Sequence, residues 1–317
     1  MKLGFFHDFF LTPKPPYDFA LTVQKPAGWS LFTPFESFED GVLRTAAYFG
    51  ERLLGFRMES RGSVDRPKVF VRVYSRVDLS AGEWKKVRHI LSLKLSLKDD
   101  LRDFYRMAGH DPILKHSVKD LYGMHSTGPA HLFADVVLAL SLHMAPMKRS
   151  EEMMECFIER FGGKAEVEGR SIMAWPTARR ASVIAERDLR VKCRLGFRAK
   201  YIVGCAKMMS REFPDYEDLE RIEPEEARKL LLELPGIGDY SADILSPHGG
   251  FPIDVWTADI FGVLFYGRKP KIGREAISRI KKEGLKRWGR FAWLAFFYVV
   301  QDLENLSAKL GLPLRLH

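Results

Sequence analysis

Cysteine is scarce in this chain of 317 residues, which contains Cys156, Cys193 and Cys205 and no CxxC spacing. An odd number of cysteines without close pairing excludes a disulfide framework in which every cysteine is bonded within the chain. It also excludes a zinc or iron–sulfur site built from four thiolates of one chain. We therefore expect buried free thiols and no iron–sulfur cluster.

Long apolar runs are also missing. The N-terminal MKLGFFHDFF is interrupted by His7 and Asp8, lacks a small-residue cleavage site and is too short to span a bilayer. The C-terminal FAWLAFFYVV is apolar on all sides but equally short, so we expect a buried helix there. These features predict a soluble monomer inside the cell, in the cytoplasm, nucleoid or nucleus, with no membrane partner.

Basic residues outnumber acidic ones, 50 Lys and Arg against 41 Asp and Glu, for a formal net charge of +9. Such an excess favours a polyanionic partner, because attraction to phosphates does not depend on base sequence. Solvated helix faces explain basic runs such as KCRLGFRAK and RRASVIAERDLRVK equally well. Charge alone therefore leaves both interpretations open.

The N-terminal third has the pattern of strands and turns as far as about Asp78. Four stretches carry β-branched and aromatic residues between Gly, Pro and Asp: YDFALTV, GVLRTAAYFG, ERLLGFRMES and PKVFVRVYS. In the last of these, Val69, Val71 and Val73 share one face, which predicts a strand that is apolar on one side. The short connections favour an antiparallel sheet.

From about Leu79 the periodicity becomes helical, beginning with SAGEWKKVRHILSL, where Ser80 can cap the helix. Further helical stretches follow to the C-terminus, with starts and stops predicted at Ser150 and at Gly162–Gly163. We therefore predict an α+β fold. Residues 1–95 form an N-terminal antiparallel sheet domain with a flanking helix, and residues 96–317 form an all-helical body.

The stretch EPEEARKLLLELPGIGDYSADIL predicts two helices joined by a glycine turn. Pro235 ends the first, Gly236-Ile237-Gly238 tolerates positive φ and close backbone approach, and the second begins near Asp239. N–H groups at the start of the second helix can bind a phosphate without reading a base. The alternative is a helical hairpin whose glycines only permit tight packing.

One aspartate follows this hairpin, in GGFPIDVWTADIFGVLFYG. Asp254 directly precedes a strongly apolar helix, so it has an evident structural role as the N-cap of that helix. Capping does not exclude catalysis.

The pairing of LPGIG with Pro252-Ile253-Asp254 resembles the helix-hairpin-helix DNA glycosylase superfamily. Three further stretches are similar to segments of that family and extend the resemblance over residues 95–300: CRLGFRAKYIVGCAKMM, FADVVLALSLHMAPMKRSEEMMECFIERFG and LSLKDDLRDFYRMAGHDPIL. The N-terminal sheet suits the alkyladenine (3-methyladenine) and 8-oxoguanine branches, since the endonuclease III branch lacks it. The resemblance implies two helical subdomains with a cleft between them.

The resemblance also implies roles for particular residues. Asp254 takes the place of the catalytic carboxylate, which stabilises the positive charge that develops on the sugar as the glycosidic bond breaks. Amides around Gly236, Ile237 and Gly238 would bind the phosphate beside the lesion. In relatives, carbonyls of this turn hold Na⁺ or K⁺, which corresponds here to the backbone of Leu232, Leu234 and Ile237. No metal ligand is expected from side chains.

Tyr240 departs from the pattern of relatives that also cut the strand. Those relatives have a lysine at this position, whose amine forms a Schiff base with the sugar, and a phenol cannot do so. We therefore predict a monofunctional enzyme with water as the nucleophile. Asp254 follows Tyr240 by 14 positions, less than the family's usual spacing. Asp259 would restore that spacing but lacks the preceding Pro-Ile, so Asp254 is preferred.

An enzyme that removes bases must extrude the nucleotide and fill the gap it leaves. The alignment with the family's helix-loop-helix places Met144 at the wedge position, beside His143, and Arg149 near the orphaned base. Ordinary core packing is the alternative for Met144.

Tyr240 and Trp256 could offer aromatic faces to a flipped base, and a cationic alkylated purine would gain cation–π attraction there. The alternative is that both rings are core. His248 could contact a phosphate or belong to a simple loop.

We expect a base excision repair glycosylase that acts on damaged double-stranded DNA and removes alkylated purines without lyase activity. One alternative is an 8-oxoguanine glycosylase or glycosylase-lyase. Another is a non-catalytic lesion-sensing DNA-binding protein, although a carboxylate beside DNA phosphates would not help binding alone.

Overall fold

The computed structural model describes residues 4–24, 35–127 and 131–314. Its N-terminal part is a five-stranded sheet in which all neighbouring strands are antiparallel, in the order β1-β5-β4-β3-β2. The strands are β1 (Phe5–Leu11), β2 (Ser37–Glu39), β3 (Val42–Phe49), β4 (Arg52–Ser60) and β5 (Val69–Ser75).

One face of this sheet is buried, as the alternation in β5 predicts. Val69, Val71 and Val73 are inaccessible to solvent and pack with residues of helix α2 (Ala81–Lys94), among them Val87 and Leu91. Ser80 caps α2, and the Glu83 carboxylate accepts the Ser80 backbone N–H in return. The helix therefore begins where the sequence predicts and belongs to the core of the sheet.

The stretch YDFALTV is a helix, not the predicted strand. Helix α1 spans Phe19–Gln24, and Asp18 Oδ1 accepts the backbone N–H of Leu21 at its start. Phe19 and Val23 are four residues apart and both are buried, which is the spacing of one helix face. The outer strand of the sheet comes instead from the N-terminal stretch, as β1.

Helices make up most of the rest of the chain, so the predicted class is confirmed: an antiparallel sheet followed by a helical body. Helix α6 begins at Met147, one turn before the predicted Ser150, and ends before Gly162 as expected. The helices are α3 (Arg102–Ala108), α4 (Leu114–Asp120), α5 (Leu132–Leu142), α6 (Met147–Phe161), α7 (Ala178–Ala181), α8 (Glu186–Lys192), α9 (Arg198–Met209), α10 (Tyr216–Arg221), α11 (Pro224–Glu233), α12 (Asp239–Leu245), α13 (Val255–Tyr266), α14 (Arg274–Trp288), α15 (Ala292–Gln301) and α16 (Leu303–Leu310).

A two-stranded hairpin interrupts the helical body and was not predicted. Strands β6 (Gly163–Val167) and β7 (Arg170–Ala174) pair across Glu168 and Gly169, both with positive φ. Their buried side chains pack against Ala46 and Leu53 of the N-terminal sheet. The hairpin thus connects the helical body to the sheet.

The buried side chains of the helical body form two clusters. One joins α5, α6, α8, α9, α11 and α12, and the other joins α3, α4 and α13 to α16. Residues 246–254 lead from the first cluster into the second. The boundary predicted at residues 95/96 falls between α2 and α3 and stays a prediction. Across the described ranges, no helix has the length and apolar character needed to cross a membrane.

Candidate functional site

The predicted helical hairpin is present, with α11 ending at Glu233 and α12 beginning at Asp239. Gly236 has φ +83°, and a Cβ there would lie 2.7 Å from the ring of Tyr201 and 3.0 Å from Leu140. This glycine is therefore required by the packing of α9 and α5 against the turn. Gly238 is different, because a Cβ there would meet no atom of the described residues within 4 Å.

Gly238 precedes α12, and no side chain among the described residues caps the first turn of that helix. The N–H groups of that turn are thus open to an external acceptor, as a phosphate-binding hairpin needs. Asp239 also lies in this turn, with its carboxylate paired with Arg228 of α11. That pairing reduces the repulsion the carboxylate would exert on an incoming phosphate.

Asp254 is the N-cap of α13, as predicted. Its Oδ1 accepts the N–H of Trp256 at 3.0 Å, the N–H of Thr257 at 2.8 Å and the Thr257 hydroxyl at 2.8 Å. Among the residues that the structure describes, none donates a hydrogen bond to Oδ2. Capping therefore orients the carboxylate through one oxygen and leaves the other for chemistry.

Tyr240 lies close enough to Asp254 for the two to interact electrostatically. Burial and the negative charge of Asp254 raise the pKa of Tyr240 well above its ordinary value, so the phenol is neutral at pH 7. The hairpin and the capping aspartate thus converge, although 14 positions separate the two residues.

The loop between α5 and α6 lies beside the same hairpin helix. His143 Nε2 is 2.9 Å from Ser241 Oγ, and Arg198 donates a hydrogen bond to the His143 carbonyl. Burial and the charge of Arg198 lower the pKa of His143, which keeps the ring neutral. These contacts anchor the loop that carries Met144 beside α12 and α9.

Met144 projects into solvent. Its side chain and backbone are 94% exposed and its φ is +48°, a left-handed conformation that is uncommon for a residue other than glycine. The alternative of core packing is therefore wrong. An exposed, flexible apolar side chain at the tip of an anchored loop has the form expected of a wedge.

No protein-family model matches the chain. Two curated proteins do. One is the DNA-3-methyladenine glycosylase of Bacillus subtilis (strain 168), 26% identical over 179 residues, which cover 54% of this chain and 59% of the relative. The other is a probable N-glycosylase/DNA lyase of Methanothermobacter thermautotrophicus, 24% identical over 208 residues, which cover 58% of this chain and 66% of the relative. The chain therefore matches less than two thirds of either relative's length.

Solved structures share the fold over nearly the whole chain. The 3-methyladenine DNA-glycosylase from Archaeoglobus fulgidus superposes with a TM-score of 0.76 at 22% identity, covering 94% of this chain and 99% of that one. The Clostridium acetobutylicum 8-oxoguanine glycosylase/lyase, in complex with DNA, gives a TM-score of 0.71 at 19% identity, covering 96% and 99%. The homologues of this chain are helix-hairpin-helix DNA glycosylases. At these identities, the structural likeness itself establishes the glycosylase fold.

Within this glycosylase fold, the short connection between hairpin and aspartate has a structural explanation. Helix α12 has only 7 residues. After it, Gly250 approaches Asp243 so closely that a Cβ would lie 2.8 Å from that side chain, and Phe251 is fully buried in the second cluster. A short helix and a tight turn thus connect the hairpin to Asp254 with few residues.

The other predicted site residues have different surroundings. Trp256 is 50% exposed, so it is not a core residue. Arg149 donates to the Arg194 carbonyl at 2.7 Å and pairs with Glu152, so its guanidinium is already engaged.

Asp259 lies inside α13 and pairs with Lys269 at 3.2 Å. His248 bonds the Leu219 carbonyl at 3.0 Å, which makes it a packed loop residue. The roles of Trp256 and Arg149 toward DNA stay predictions.

Two charged residues next to the site escaped prediction. Arg198 is 8% exposed, and its Nε lacks a partner among the described residues. Asp243 accepts hydrogen bonds from Arg228 at 2.6 Å and from Lys281, which joins α11, α12 and α14. In sequence both resemble ordinary surface charges. Only tertiary packing shows that they are buried.

A cleft of about 460 Å³ lies at the far end of α13, lined by Tyr266, Arg268, Pro270 and Arg279. None of the predicted site residues lines it. In the described part of the chain, no three His, Cys, Asp or Glu side chains are grouped to hold a metal ion.

Proposed function

We propose that this chain is a base excision repair DNA glycosylase, which binds duplex DNA containing a damaged base and hydrolyses the N-glycosidic bond of that base. The curated glycosylase relatives support the reaction class. The observation that carries the proposal is the Asp254 carboxylate, which is fixed through Oδ1 at the start of α13 and interacts electrostatically with the hairpin residue Tyr240.

Asp254 acts by electrostatic stabilisation. Breaking the glycosidic bond leaves positive charge on the deoxyribose, and a fixed carboxylate oxygen close to that charge lowers the energy of the transition state. Oδ1 is held by α13, so the carboxylate needs no reorganisation as the charge develops. Oδ2 is then the atom that faces the sugar and orients the attacking water.

We propose that the enzyme is monofunctional. A strand-cutting glycosylase needs an amine that attacks the sugar and forms a Schiff base. Tyr240 holds the corresponding hairpin position, and its raised pKa keeps it a neutral phenol. Water is then the nucleophile, and the product is an abasic site with an intact strand.

Alkylated purines are the proposed substrates, by analogy with the 3-methyladenine glycosylase of B. subtilis. Trp256 is half exposed beside Asp254 and offers an aromatic face to a cationic base. Met144, which is 94% exposed, would fill the gap in the base stack.

The hairpin carbonyls fit a monovalent cation. Leu232 and Leu234 lie at the C-terminal end of α11, where carbonyls carry partial negative charge. The Leu234 carbonyl accepts the Ile237 N–H at 3.0 Å and keeps one lone pair. We propose that Leu232, Leu234 and Ile237 hold Na⁺ or K⁺, which would attract the DNA phosphate. Replacing K⁺ by a bulky organic cation at constant ionic strength should then weaken duplex binding.

A panel of duplexes, each with one defined lesion, tests the proposed function. Abasic sites are scored by strand cleavage with and without alkali. We expect cleavage of a 3-methyladenine-type duplex only after alkali. Cleavage without alkali, or an adduct trapped by borohydride, would establish the glycosylase-lyase alternative. Lesion-specific binding with no base release from any duplex would establish the non-catalytic one.

A further inference from the structure

Two thiols outside the DNA site face each other. Cys156 lies on α6 and Cys193 caps the C-terminus of α8, and their sulfur atoms are 2.6 Å apart. That distance is much shorter than the ~3.5–4.0 Å of ordinary non-bonded contacts between heavy atoms. A disulfide bond of ~2.05 Å would need the two sulfurs to move by only about 0.5 Å.

We propose that Cys156 and Cys193 form a redox-active dithiol, which hydrogen peroxide oxidises to an intramolecular disulfide. The proposal stands on this geometry and does not depend on the glycosylase activity. The two residues are 37 positions apart in sequence, so only the packing of α6 against α8 and α9 brings them together.

The surroundings make the two thiols unequal. Cys156 is half-buried, and Arg160 lies one turn further along α6, close enough for its charge to interact with the sulfur of Cys156. Cys193 is 2% exposed, and burial raises the pKa of its thiol. Cys156 is the more accessible of the two and is therefore the sulfur that meets the oxidant, and Cys193 is the resolving thiol.

The oxidation proceeds in two balanced steps. The Cys156 thiolate attacks one oxygen of hydrogen peroxide, which gives a sulfenic acid and releases hydroxide. The Cys193 sulfur then attacks the Cys156 sulfur, the S–S bond forms, and the sulfenic oxygen leaves with the Cys193 proton as part of a water molecule. Peroxide gains the two electrons that the thiols lose.

The disulfide would join α6 to the segment that leads into α9. Those two segments already meet where Arg149 of α6 donates to the Arg194 carbonyl. The bond closes a loop of 37 positions, which removes conformations from the unfolded chain. The oxidised protein should therefore unfold at a temperature higher by on the order of 5 °C.

Cys205 is the internal control. It is fully buried and its thiol donates to the Pro235 carbonyl at 3.3 Å, away from the other two sulfurs. Peroxide should leave it as a thiol.

The test treats the folded full chain with a small excess of hydrogen peroxide, unfolds it with an alkylating agent present, and counts free thiols by mass spectrometry. We expect the count to fall from three to one, with the loss of about 2 Da that marks one disulfide and recovery on adding dithiothreitol. Digestion should yield a peptide pair linked through Cys156 and Cys193.

Two variants separate the steps. In Cys193→Ser, the sulfenic acid on Cys156 should persist and react with dimedone, whereas Cys205→Ser should form the same disulfide as the wild type. Circular dichroism of the variants before oxidation confirms that they are folded. Three free thiols after treatment, or Cys156 overoxidised to sulfinic acid in the wild type, would overturn the proposal.

Discussion

Thr257 fixes Asp254 through its own hydroxyl. The hydroxyl accepts the Asp254 backbone N–H at 2.9 Å and donates to Asp254 Oδ1 at 2.8 Å, while the Thr257 N–H donates to the same oxygen. Thr257 thus holds Asp254 at its backbone N–H and at one carboxylate oxygen.

Removing the Thr257 hydroxyl should lower kcat clearly and the unfolding free energy only modestly. Thr257 is 1% exposed, so Thr257→Val keeps the shape of the side chain and loses the bond to Oδ1. We expect a loss of about 1 kcal/mol in unfolding free energy and a fall in kcat of about tenfold as the carboxylate gains freedom. Thr257→Ser is the control and should keep kcat within about twofold of the wild type. Equal kcat values for the two variants would show that the hydroxyl does not orient Asp254.

Met144 should matter for DNA and not for folding. Because the residue is 94% exposed, Met144→Ala should change the unfolding free energy by less than about 0.5 kcal/mol. Affinity for a lesion-containing duplex should fall by about tenfold, because alanine is too small to fill the gap that the flipped nucleotide leaves in the base stack. Met144→Leu keeps the apolar volume and should bind like the wild type. A stability loss above that limit in Met144→Ala would reinstate a packing role.

Asp243 should matter for stability. Its carboxylate is 6% exposed and compensates Arg228 and Lys281, whose side chains are 25% and 27% exposed. Asp243→Ala should destabilise by about 3 kcal/mol, the lower end of the range for a broken buried pair, because both cations still reach water. Asp259→Ala, which removes the exposed pair with Lys269, should cost at most about 1 kcal/mol. Urea unfolding of both variants makes the comparison, and equal losses would contradict it.

His131 should make stability fall in mild acid. It caps α5 by accepting the Ala134 N–H at Nδ1, and burial lowers its pKa to about 4. The unfolded chain, with an ordinary histidine pKa near 6.5, binds this proton first as the pH falls. The contribution of neutral His131 to the free energy of unfolding is therefore complete above about pH 6.5. It is lost as the pH falls from there to about 4. His131→Asn keeps a capping oxygen, and its urea midpoint should fall less than that of the wild type over this window. If the urea midpoints of the variant and the wild type fall in parallel with pH, His131 is not the source of the acid sensitivity.

Much of the site follows from local sequence rules. Pro235 and the two glycines of the turn predict where α11 ends and α12 begins, and an aspartate before an apolar run predicts the N-cap of α13. These features depend on a few neighbouring residues and on backbone geometry. Sequence reasoning is strongest for such signals.

The features that sequence reasoning missed either have weak local signals or depend on packing between distant parts of the chain. YDFALTV has strand-forming residues, but Asp18 and the burial of Phe19 and Val23 decide for a helix. In the hairpin of β6 and β7, the turn places Glu168 at positive φ, where glycine or asparagine would have been the recognisable signal. The exposure of Met144 and the burial of Arg198 likewise follow from how α5, α9 and α12 meet.

Base release by Asp254→Asn under single-turnover conditions tests the central claim most directly. Asparagine can still accept the capping hydrogen bonds from Trp256 and Thr257 but has no charge, and Asp259→Asn is the matched control in the same helix. We predict that Asp254→Asn binds a lesion duplex like the wild type and releases the base at least about 100-fold more slowly, with Asp259→Asn unaffected. Unchanged base release by Asp254→Asn would contradict the assignment of Asp254 as the catalytic carboxylate.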